Sequence, residues 1–231
     1  MRILIVTGEA SGDLHGAHLA KAIMALDHTA QLVGIGGPRM RAAGVSLVPG
    51  VPQLDVMGLV GLSAIPAIIR RVFAIRRVLK AEAWDLVVLI DNPGLNFHFA
   101  RVAKAAGRRV LYYIAPQVWA WRPGRMKWIQ RRVDHVVVIL PFEPELYRRA
   151  GVRCTFVGHP LLDEVAPQYD RVKLREEFGF HASGRVVGLL PGSRRSEVEM
   201  LLPVLLKAAT QLVVAEPGTQ FILAQAPTID D

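Results

Sequence analysis

The sequence has a single cysteine and no long hydrophobic run. Cys154 is the one cysteine among 231 residues, which excludes an internal disulfide framework and fits a reducing compartment. The longest apolar stretches fall short of the ~18–20 residues that span a bilayer. The apolar run at residues 3–6 is too short for a signal peptide. We therefore expect a soluble protein of the cytoplasm.

Acidic residues are fewer than basic ones. The chain has 20 acidic and 28 basic residues, a formal net charge of +8, and 52% apolar residues. A chain this apolar buries enough surface to fold, which excludes intrinsic disorder. The positive charge points to an anionic substrate, an anionic membrane surface or nucleic acid. Nucleic acid is disfavoured, because no recognition-fold signature accompanies the basic run at 122–132.

Two common site signatures are also missing. His98 and His159 are isolated in the sequence, and no His, Cys or Asp cluster has metal-ligand spacing, so we expect no metal. The loop at 8–13 is neither a G-x-G-x-x-G fingerprint nor a P-loop, since it has no lysine. Its carboxylates, Glu9 and Asp13, would repel a pyrophosphate. These absences argue against a generic nucleotide site in this loop.

Short β-branched runs alternate with helical patterns along the chain. This alternation predicts an α/β fold with a doubly wound, mostly parallel sheet. The predicted strands are 2–6, 31–35, 84–90, 109–114, 135–140 and 154–157, and the predicted helices are 13–26, 63–80, 96–106, 124–132 and 143–149. We expect a first domain at 1–160. The rest, 161–231, holds one strand–helix–strand pattern (185–190, 196–215, 219–224), which predicts an incomplete second Rossmann-like domain.

The first loop follows a strand and opens a helix, so ligands have access to its backbone. Glu9, Ser11, Gly12 and Asp13 suit a hydroxyl-rich ligand such as a sugar. The alternative is a tight turn in which Asp13 caps the helix.

A second candidate, Asp91, comes directly after the strand at 84–90. Ligands of open α/β sheets bind beyond the carboxyl ends of strands, and a carboxylate there can act as a general base. The alternative is an Asx-turn before Pro93.

A third candidate is the turn at 191–195, between a strand and a helix. Gly192 and Ser193 offer backbone donors, and Arg194 can bind phosphate oxygens bidentately. The alternative is a basic surface turn.

Two further patterns leave two interpretations open. Trp119 and Trp121 share a face of an extended segment, where they line a ligand groove or pack in the core. The helix at 63–80 has an apolar face and an opposite basic face. Such a helix either docks on an anionic membrane, or packs its apolar face in the core and leaves its charges in solvent. That basic face consists of Arg70, Arg76, Arg77 and Lys80.

Several segments together resemble the lipid-A-disaccharide synthase family. They are VTGEASGDLHGA (6–17), APQVWAWRPGR (115–125) and LLPGSRRSEVEML (189–201), with shorter matches between them. The resemblance implies a two-domain GT-B glycosyltransferase that joins UDP-2,3-diacylglucosamine to 2,3-diacylglucosamine 1-phosphate. The product is the β-1,6 disaccharide of lipid A, formed with inversion and release of UDP. The resemblance implies no metal or cofactor, work as a peripheral protein on the inner face of the cytoplasmic membrane, and a possible homodimer.

The resemblance also implies roles for individual residues. Asp91 matches the general base, and Arg194, with Gly192 and Ser193, matches the UDP diphosphate site. Where some relatives carry a second acid, this chain has Gly94, so a base shared between two carboxylates does not apply. The implied substrate contacts are Glu9, Ser11, Gly12, Asp13, Asn92, Gln117, Trp119, Trp121 and Arg122.

Two other functions stay open. One is a different GT-B enzyme, either a lipid-linked sugar transferase or a nucleotide-sugar epimerase. The other is a non-catalytic half that binds anionic membrane or acylated sugar phosphate. Family members are longer than this chain, and the glutamate expected to hold the UDP ribose has no counterpart in it.

Overall fold

A computed structural model describes residues 1–8, 10–51, 65–117, 124–165, 168–226 and 229. The described residues divide into two compact units, one ending at Glu164 and one beginning at Val165.

The first unit is built on a seven-stranded sheet in which every neighbouring pair is parallel. Its spatial order is β3-β2-β1-β4-β5-β6-β7, so the chain winds outward from β1 in both directions. This confirms the predicted doubly wound α/β fold. The strands are β1 (Arg2–Val6), β2 (Gln31–Ile35), β3 (Ser46–Leu47), β4 (Leu86–Ile90), β5 (Val110–Tyr113), β6 (His135–Val138) and β7 (Cys154–Phe156).

Helices connect these strands, as the alternating pattern predicts. They are α1 (Ala10–Leu26), α2 (Pro38–Ala42), α3 (Ile65–Ala81), α4 (Pro93–Ala105), α5 (Arg125–Arg132) and α6 (Glu143–Arg149), followed by a 3-10 turn at Pro160–Asp163. Helix α1 begins at Ala10, not at Asp13 as predicted. The sequence analysis missed α2 and β3 because each is five residues or shorter, too short to show a period.

Both faces of the sheet are covered by apolar side chains. Along β1, Leu4 and Val6 belong to one buried cluster, and Ile3 and Ile5 belong to another. Successive side chains of a strand point to opposite faces, so a strand of apolar residues throughout is stable only between two helical layers. The continuous apolar runs seen in the sequence have this cause.

The second unit is a smaller strand–helix–strand arrangement. Strands β8 (Val186–Leu189) and β9 (Gln220–Leu223) pair in parallel. Helix α7 (Arg171–Glu177) precedes them, and α8 (Arg195–Ala215) connects them. Among the described residues of this unit, Leu189 and Pro191 are the two buried apolar residues.

By length and composition, α8 is the one helix of the described residues that is long and apolar enough to cross a membrane. A spanning helix would separate β8 from β9 by the ~30 Å of a bilayer core. The two strands are instead hydrogen-bonded neighbours, with Val186 opposite Gln220. Helix α8 is therefore the crossover of a parallel strand pair.

Candidate functional site

Two loops meet at the carboxyl end of the central strands of the first unit. Strand β1 pairs in parallel with β4, with Val6 opposite Leu89, so the loops that follow them are neighbours. A Cβ atom on Gly8 would overlap the side-chain amide of Asn92. Glycine at position 8 therefore lets the loop after β1 close onto the loop after β4.

Asp91 lies in a strained backbone segment. Asp91 and Asn92 have φ angles of 47° and 42°, in the left-handed region that costs a non-glycine residue about 1–3 kcal/mol. Such strain persists only where neighbouring groups hold it, and it concentrates at functional sites.

Three hydrogen bonds hold the backbone of Asp91. Its N–H donates to the Tyr113 carbonyl at 3.2 Å. Its carbonyl accepts from the Tyr112 hydroxyl and the Asn96 side-chain amide, each at 2.7 Å. Asn96 also donates to the Ile90 carbonyl at 2.9 Å. This frame fixes the residue that the sequence singles out as the general base.

Sequence reasoning missed Tyr112 and Asn96. Both side chains are buried, and burial, followed by the charge of Asp91, raises the pKa of Tyr112 far above its ordinary value. The hydroxyl therefore stays a neutral donor at physiological pH. The one signal in the sequence was a polar residue, Asn96, on the otherwise apolar buried face of α4.

Asn92 caps helix α4. Its side-chain oxygen accepts from Leu95 N, three residues on, at 3.4 Å, which is a helix cap and not the Asx-turn named as the alternative, whose bond reaches two residues on. Asp91 precedes the cap and stays half-buried. The cap and the candidate base thus occupy adjacent residues, and one does not replace the other.

Asp13 has a structural task different from the predicted sugar contact. Its carboxylate is buried and accepts from three backbone N–H groups: Gly37 at 2.7 Å, Arg39 at 3.0 Å and Met40 at 3.1 Å. It therefore anchors the start of α2 from the first turn of α1. Asp13 therefore caps α2, whereas the alternative drawn from the sequence was that it caps α1, its own helix.

The other predicted contacts of this loop, Gly12 and Ser11, differ in whether they are exposed to a ligand. Gly12 is buried, and a Cβ there would lie 3.1 Å from Thr7 Cβ, so it serves close packing of helix on strand. Ser11 is exposed and available to a ligand. Glu9 lies outside the described residues.

A cluster of histidines lies beside Asp91. His18 Nε2 is 2.9 Å from Glu164 Oε1, and His159 Nδ1 accepts from Leu161 N at 3.3 Å. Burial, then the charges of His18 and His159, lower the pKa of His15, while the charge of Asp91 raises it. His159 is isolated in the sequence, and the fold brings it within electrostatic range of His15.

The segment after β5 also follows the carboxyl edge of the sheet. The Tyr147 hydroxyl donates to the Pro116 carbonyl at 3.1 Å, and Gln117 is exposed. The predicted contacts Trp119, Trp121 and Arg122 lie outside the described residues.

No metal site appears in the part of the chain that the structure describes. It contains no group of three or more His, Cys, Asp or Glu side chains placed to hold a metal ion. A metal-free site stays a prediction.

Helix α3 connects this site to an exposed surface. Arg71 is buried, and its guanidinium donates to the Thr7 carbonyl at 2.8 Å. On the buried face, Ile75 and Leu79 are fully covered, as the helical pattern predicts. Arg71 was not part of that prediction, because a charged residue on the inner face breaks the apolar pattern.

The outer face of α3 is basic, with two apolar side chains in it. Arg70, Arg77 and Lys80 are exposed. Phe73 is 63% exposed and Ile69 is 49% exposed, one helical turn apart. Arg76 is half-buried, with its guanidinium carbon 5.9 Å from the centre of the Phe73 ring.

The predicted phosphate turn belongs to the second unit, between β8 and α8. Gly192 has φ of 117°, and Ser193 and Arg194 follow it immediately before the helix. Glu197 binds the donors of this turn: its carboxylate accepts from the Ser193 and Arg194 backbone N–H groups and from the Arg194 guanidinium.

A cavity of about 300 Å³ lies next to this turn within the second unit. It is mostly apolar and formed by the start of α8 and the segment after β9. Its lining includes Pro191, Gly192, Val198, Leu202, Leu223 and Ile229.

With the fold and sites established, comparison with known proteins shows where the chain belongs. The family model described as lipid-A-disaccharide synthetase matches residues 3–229. The chain belongs to this family. It is therefore a member of a family of glycosyltransferases of lipid A biosynthesis, as the sequence resemblance implies.

Individual relatives agree. The lipid-A-disaccharide synthase of Geobacter metallireducens is 50% identical over 231 residues, which are 100% of this chain and 60% of the relative. That of Nitrosococcus oceani is 45% identical, over 99% of this chain and 59% of the relative. The chain spans about 60% of the length of the curated relatives it matches.

Solved structures show the same fold at much lower identity. The chain resembles UDP-GlcNAc 2-epimerase from Neisseria meningitidis bound to UDP-GlcNAc with a TM-score of 0.67 and 11% identity, over 98% of this chain and 66% of that one. The Methanocaldococcus jannaschii 2-epimerase in complex with UDP-GlcNAc and UDP gives 0.59 and 16%, over 99% and 67%. This likeness confirms the GT-B-like fold and carries no information on the reaction.

Proposed function

We propose that the protein of which this chain is part transfers the sugar of UDP-2,3-diacylglucosamine to 2,3-diacylglucosamine 1-phosphate. The products are the β-1,6-linked disaccharide and UDP. Membership of the family supports the reaction class. The observation that carries the proposal is the position of Asp91 at the carboxyl end of β4, where hydrogen bonds to its backbone hold it in place.

Asp91 is the general base of this scheme. Its carboxylate takes the proton from the acceptor 6-hydroxyl while that oxygen attacks the anomeric carbon of the donor. The new carbon–oxygen bond forms as the bond to the UDP oxygen breaks, so a single displacement inverts the anomeric centre. Holding the backbone of Asp91 by Tyr112 and Asn96 positions the base before the substrate arrives, which removes an orientation cost from the reaction.

UDP leaves with additional negative charge. Backbone N–H groups at a helix start and an arginine stabilise such charge, and the turn of Gly192, Ser193 and Arg194 has both. In this scheme the turn does what a metal ion does in other transferases, and UDP-sugar is a substrate, with no bound cofactor.

Asp91→Asn tests the base. We expect at least a 100-fold loss of UDP release with acylated donor and acceptor in the full-length protein, in line with the ~10²–10⁴-fold contribution of a general base. The matched control is Asp85→Asn, at the opposite end of β4, where the carboxylate accepts from Arg2 N at 2.7 Å. Equal activity of the Asp91 variant and the wild type would remove Asp91 from its role.

Product analysis separates this proposal from the other functions. Release of UDP from non-acylated UDP-GlcNAc, or its epimerisation, would indicate a different GT-B enzyme. Vesicle binding without any turnover by the full-length protein would indicate a binding protein.

The second part of the proposal is docking on the inner face of the cytoplasmic membrane through α3. Basic residues attract anionic lipid headgroups, and exposed Phe73 and Ile69 supply apolar area to bury in the lipid. The acyl chains of the proposed substrates insert into that membrane, so docking places the site close to the substrates. A homodimer of the full-length protein is also part of the proposal, on the family resemblance.

Vesicle sedimentation tests the docking surface. Replacing Arg70, Arg76 and Arg77 by Gln should reduce sedimentation with anionic vesicles about tenfold or more at low salt, at about 1 kcal/mol per basic residue. The control replaces the exposed Arg131, Arg148 and Arg149 by Gln, with the same loss of charge elsewhere. Equal effects of the two triple variants would mean that net charge alone draws the protein to the vesicle.

A further inference from the structure

Three donors of the phosphate turn bind one carboxylate of the chain itself. Glu197 Oε2 accepts from the Ser193 N–H at 3.1 Å and from the Arg194 N–H at 3.2 Å. Its Oε1 accepts from Arg194 Nη1 at 2.7 Å. These two N–H groups and this guanidinium are among the groups to which the proposed function assigns the diphosphate.

Gly192 makes room for that carboxylate. Its φ of 117° favours glycine, and a Cβ atom there would lie 2.7 Å from Glu197 Oε2. The glycine that lets a phosphate approach the backbone therefore also lets the Glu197 side chain approach it. The turn can hold one anion in this position at a time.

The arrangement goes beyond an ordinary helix cap. A glutamate at the third helical position commonly reaches back to one N–H, that of the N-cap residue. Glu197 also binds the N–H of Ser193 and the guanidinium of Arg194. These bonds, with the Ser193 N–H first, lower the pKa of the Glu197 carboxyl, so this carboxylate stays ionised at neutral pH.

We propose that Glu197 is an internal competitor for the nucleoside diphosphate, and that donor binding requires its side chain to rotate away from the turn. This inference rests on the proposed function and adds a residue that sets donor affinity. A site whose binding-competent form is only part of the population binds more weakly by that fraction. The same carboxylate returns to the turn as UDP leaves, which favours product release.

Binding of UDP and of inorganic pyrophosphate to the full-length protein tests the inference. Titrations followed by the amide signals of Ser193 and Arg194 would compare wild type, Glu197→Gln and Glu199→Gln. Glu199 is the matched control, because it carries the same charge about half a turn along α8 and pairs with Arg195 at 2.9 Å, whereas Glu197 binds Ser193 and Arg194.

We expect Glu197→Gln to bind both probes about three- to tenfold more tightly than wild type, the range of one or two lost competing hydrogen bonds. Glu199→Gln should stay within about twofold. A third variant, Glu197→Asp, keeps the charge and shortens the reach, so we expect an intermediate gain. Circular dichroism would check that α8 is intact in each variant.

Unchanged or weaker binding by Glu197→Gln, with wild type binding normally, would overturn the inference and make Glu197 a shaping residue of the turn. The proposed function would survive that result. Failure of both wild type and Glu197→Gln to bind either probe would overturn the inference and also count against the turn as the diphosphate site.

Discussion

Each unit of the chain has a carboxylate in the first turn of a helix that follows a strand, and the two units use it in opposite ways. In the first unit, Asp13 is buried and its three bonds join α1 to α2. In the second unit, Glu197 binds an equally rich set of donors on a surface turn. A buried carboxylate cannot be exchanged for a ligand without unfolding its surroundings, whereas a surface one can. Burial, not the number of bonds, separates a structural anchor from an exchangeable one.

The two units also differ in how much apolar surface they bury. In the first unit, both faces of the sheet carry buried clusters. In the second unit, α8 leaves Met200, Val204 and Val214 more than 60% exposed. The strand and helix patterns are equally clear in both units, so pattern alone does not tell how much of an element is covered.

The largest effect we expect comes from Asp13→Ala. It would leave three N–H groups at the start of α2 without their partner, at a cost of about 3 kcal/mol or more. Glu197→Ala should leave the first unit unchanged. Urea unfolding followed by tryptophan fluorescence suits this test, because all four tryptophans precede residue 165. Equal unfolding midpoints for Asp13→Ala and wild type would contradict the role of Asp13 as a structural anchor, and with it the difference from Glu197.

A smaller effect is expected from Gly8→Ala. Its Cβ would overlap the Asn92 side chain, so the loops after β1 and β4 must separate, at a cost of about 1–3 kcal/mol. Gly94→Ala is the control, since its Cβ would lie 3.7 Å from Asn92 Oδ1 and alanine favours the helix. We expect the first variant to lower the unfolding midpoint and the second to leave or raise it. The reverse order would mean that the two loops do not rely on this contact.

The smallest perturbation is chemical modification of Cys154. Burial, then the charge of Glu143, raises the pKa of this thiol to about 11, so little thiolate is present at pH 8. Alkylation by iodoacetamide should be about 100-fold slower than in the urea-unfolded chain, where the thiol has a pKa of ~8.5. The rate should rise about tenfold per pH unit up to pH ~10. Mass spectrometry measures both rates.

The same shift has a consequence for stability. The folded form holds its thiol proton to higher pH than the unfolded form, so this contribution is complete below the unfolded pKa and is lost as pH rises to about 11. Equal alkylation rates in the folded and unfolded chains would show that β7 does not shield Cys154.

Much of the fold could be predicted from local pattern. The predicted strand at 31–35 and the predicted helix at 143–149 have the bounds observed for β2 and α6. Continuous apolar runs such as 86–90 indicate strands buried on both faces, because only a doubly covered sheet removes both sides from water. Five-residue α2 could not be predicted in this way, since its start depends on Asp13, 24 or more residues away.

The candidate site was only partly predictable. Asp91 follows a buried strand, and that position alone makes it a candidate. The residues that hold it, Tyr112 and Asn96, reach it from β5 and α4, so no spacing rule connects all three. The histidine cluster beside it is only partly visible in the sequence, because His15 and His18 are three residues apart on α1 but His159 is separated from them by most of the first unit.

The sequence by itself determined the alternation of strands and helices, the family, and which loops carry polar groups at the ends of strands. Periodicity and short motifs suffice for these, because they depend on residues near each other in the chain. The tertiary structure decided what each polar group does. Asp13 became an anchor, Asp91 a framed base candidate and Glu197 a carboxylate on its own phosphate turn. Those outcomes depend on burial and on partners brought together by the sheet, which local sequence does not contain.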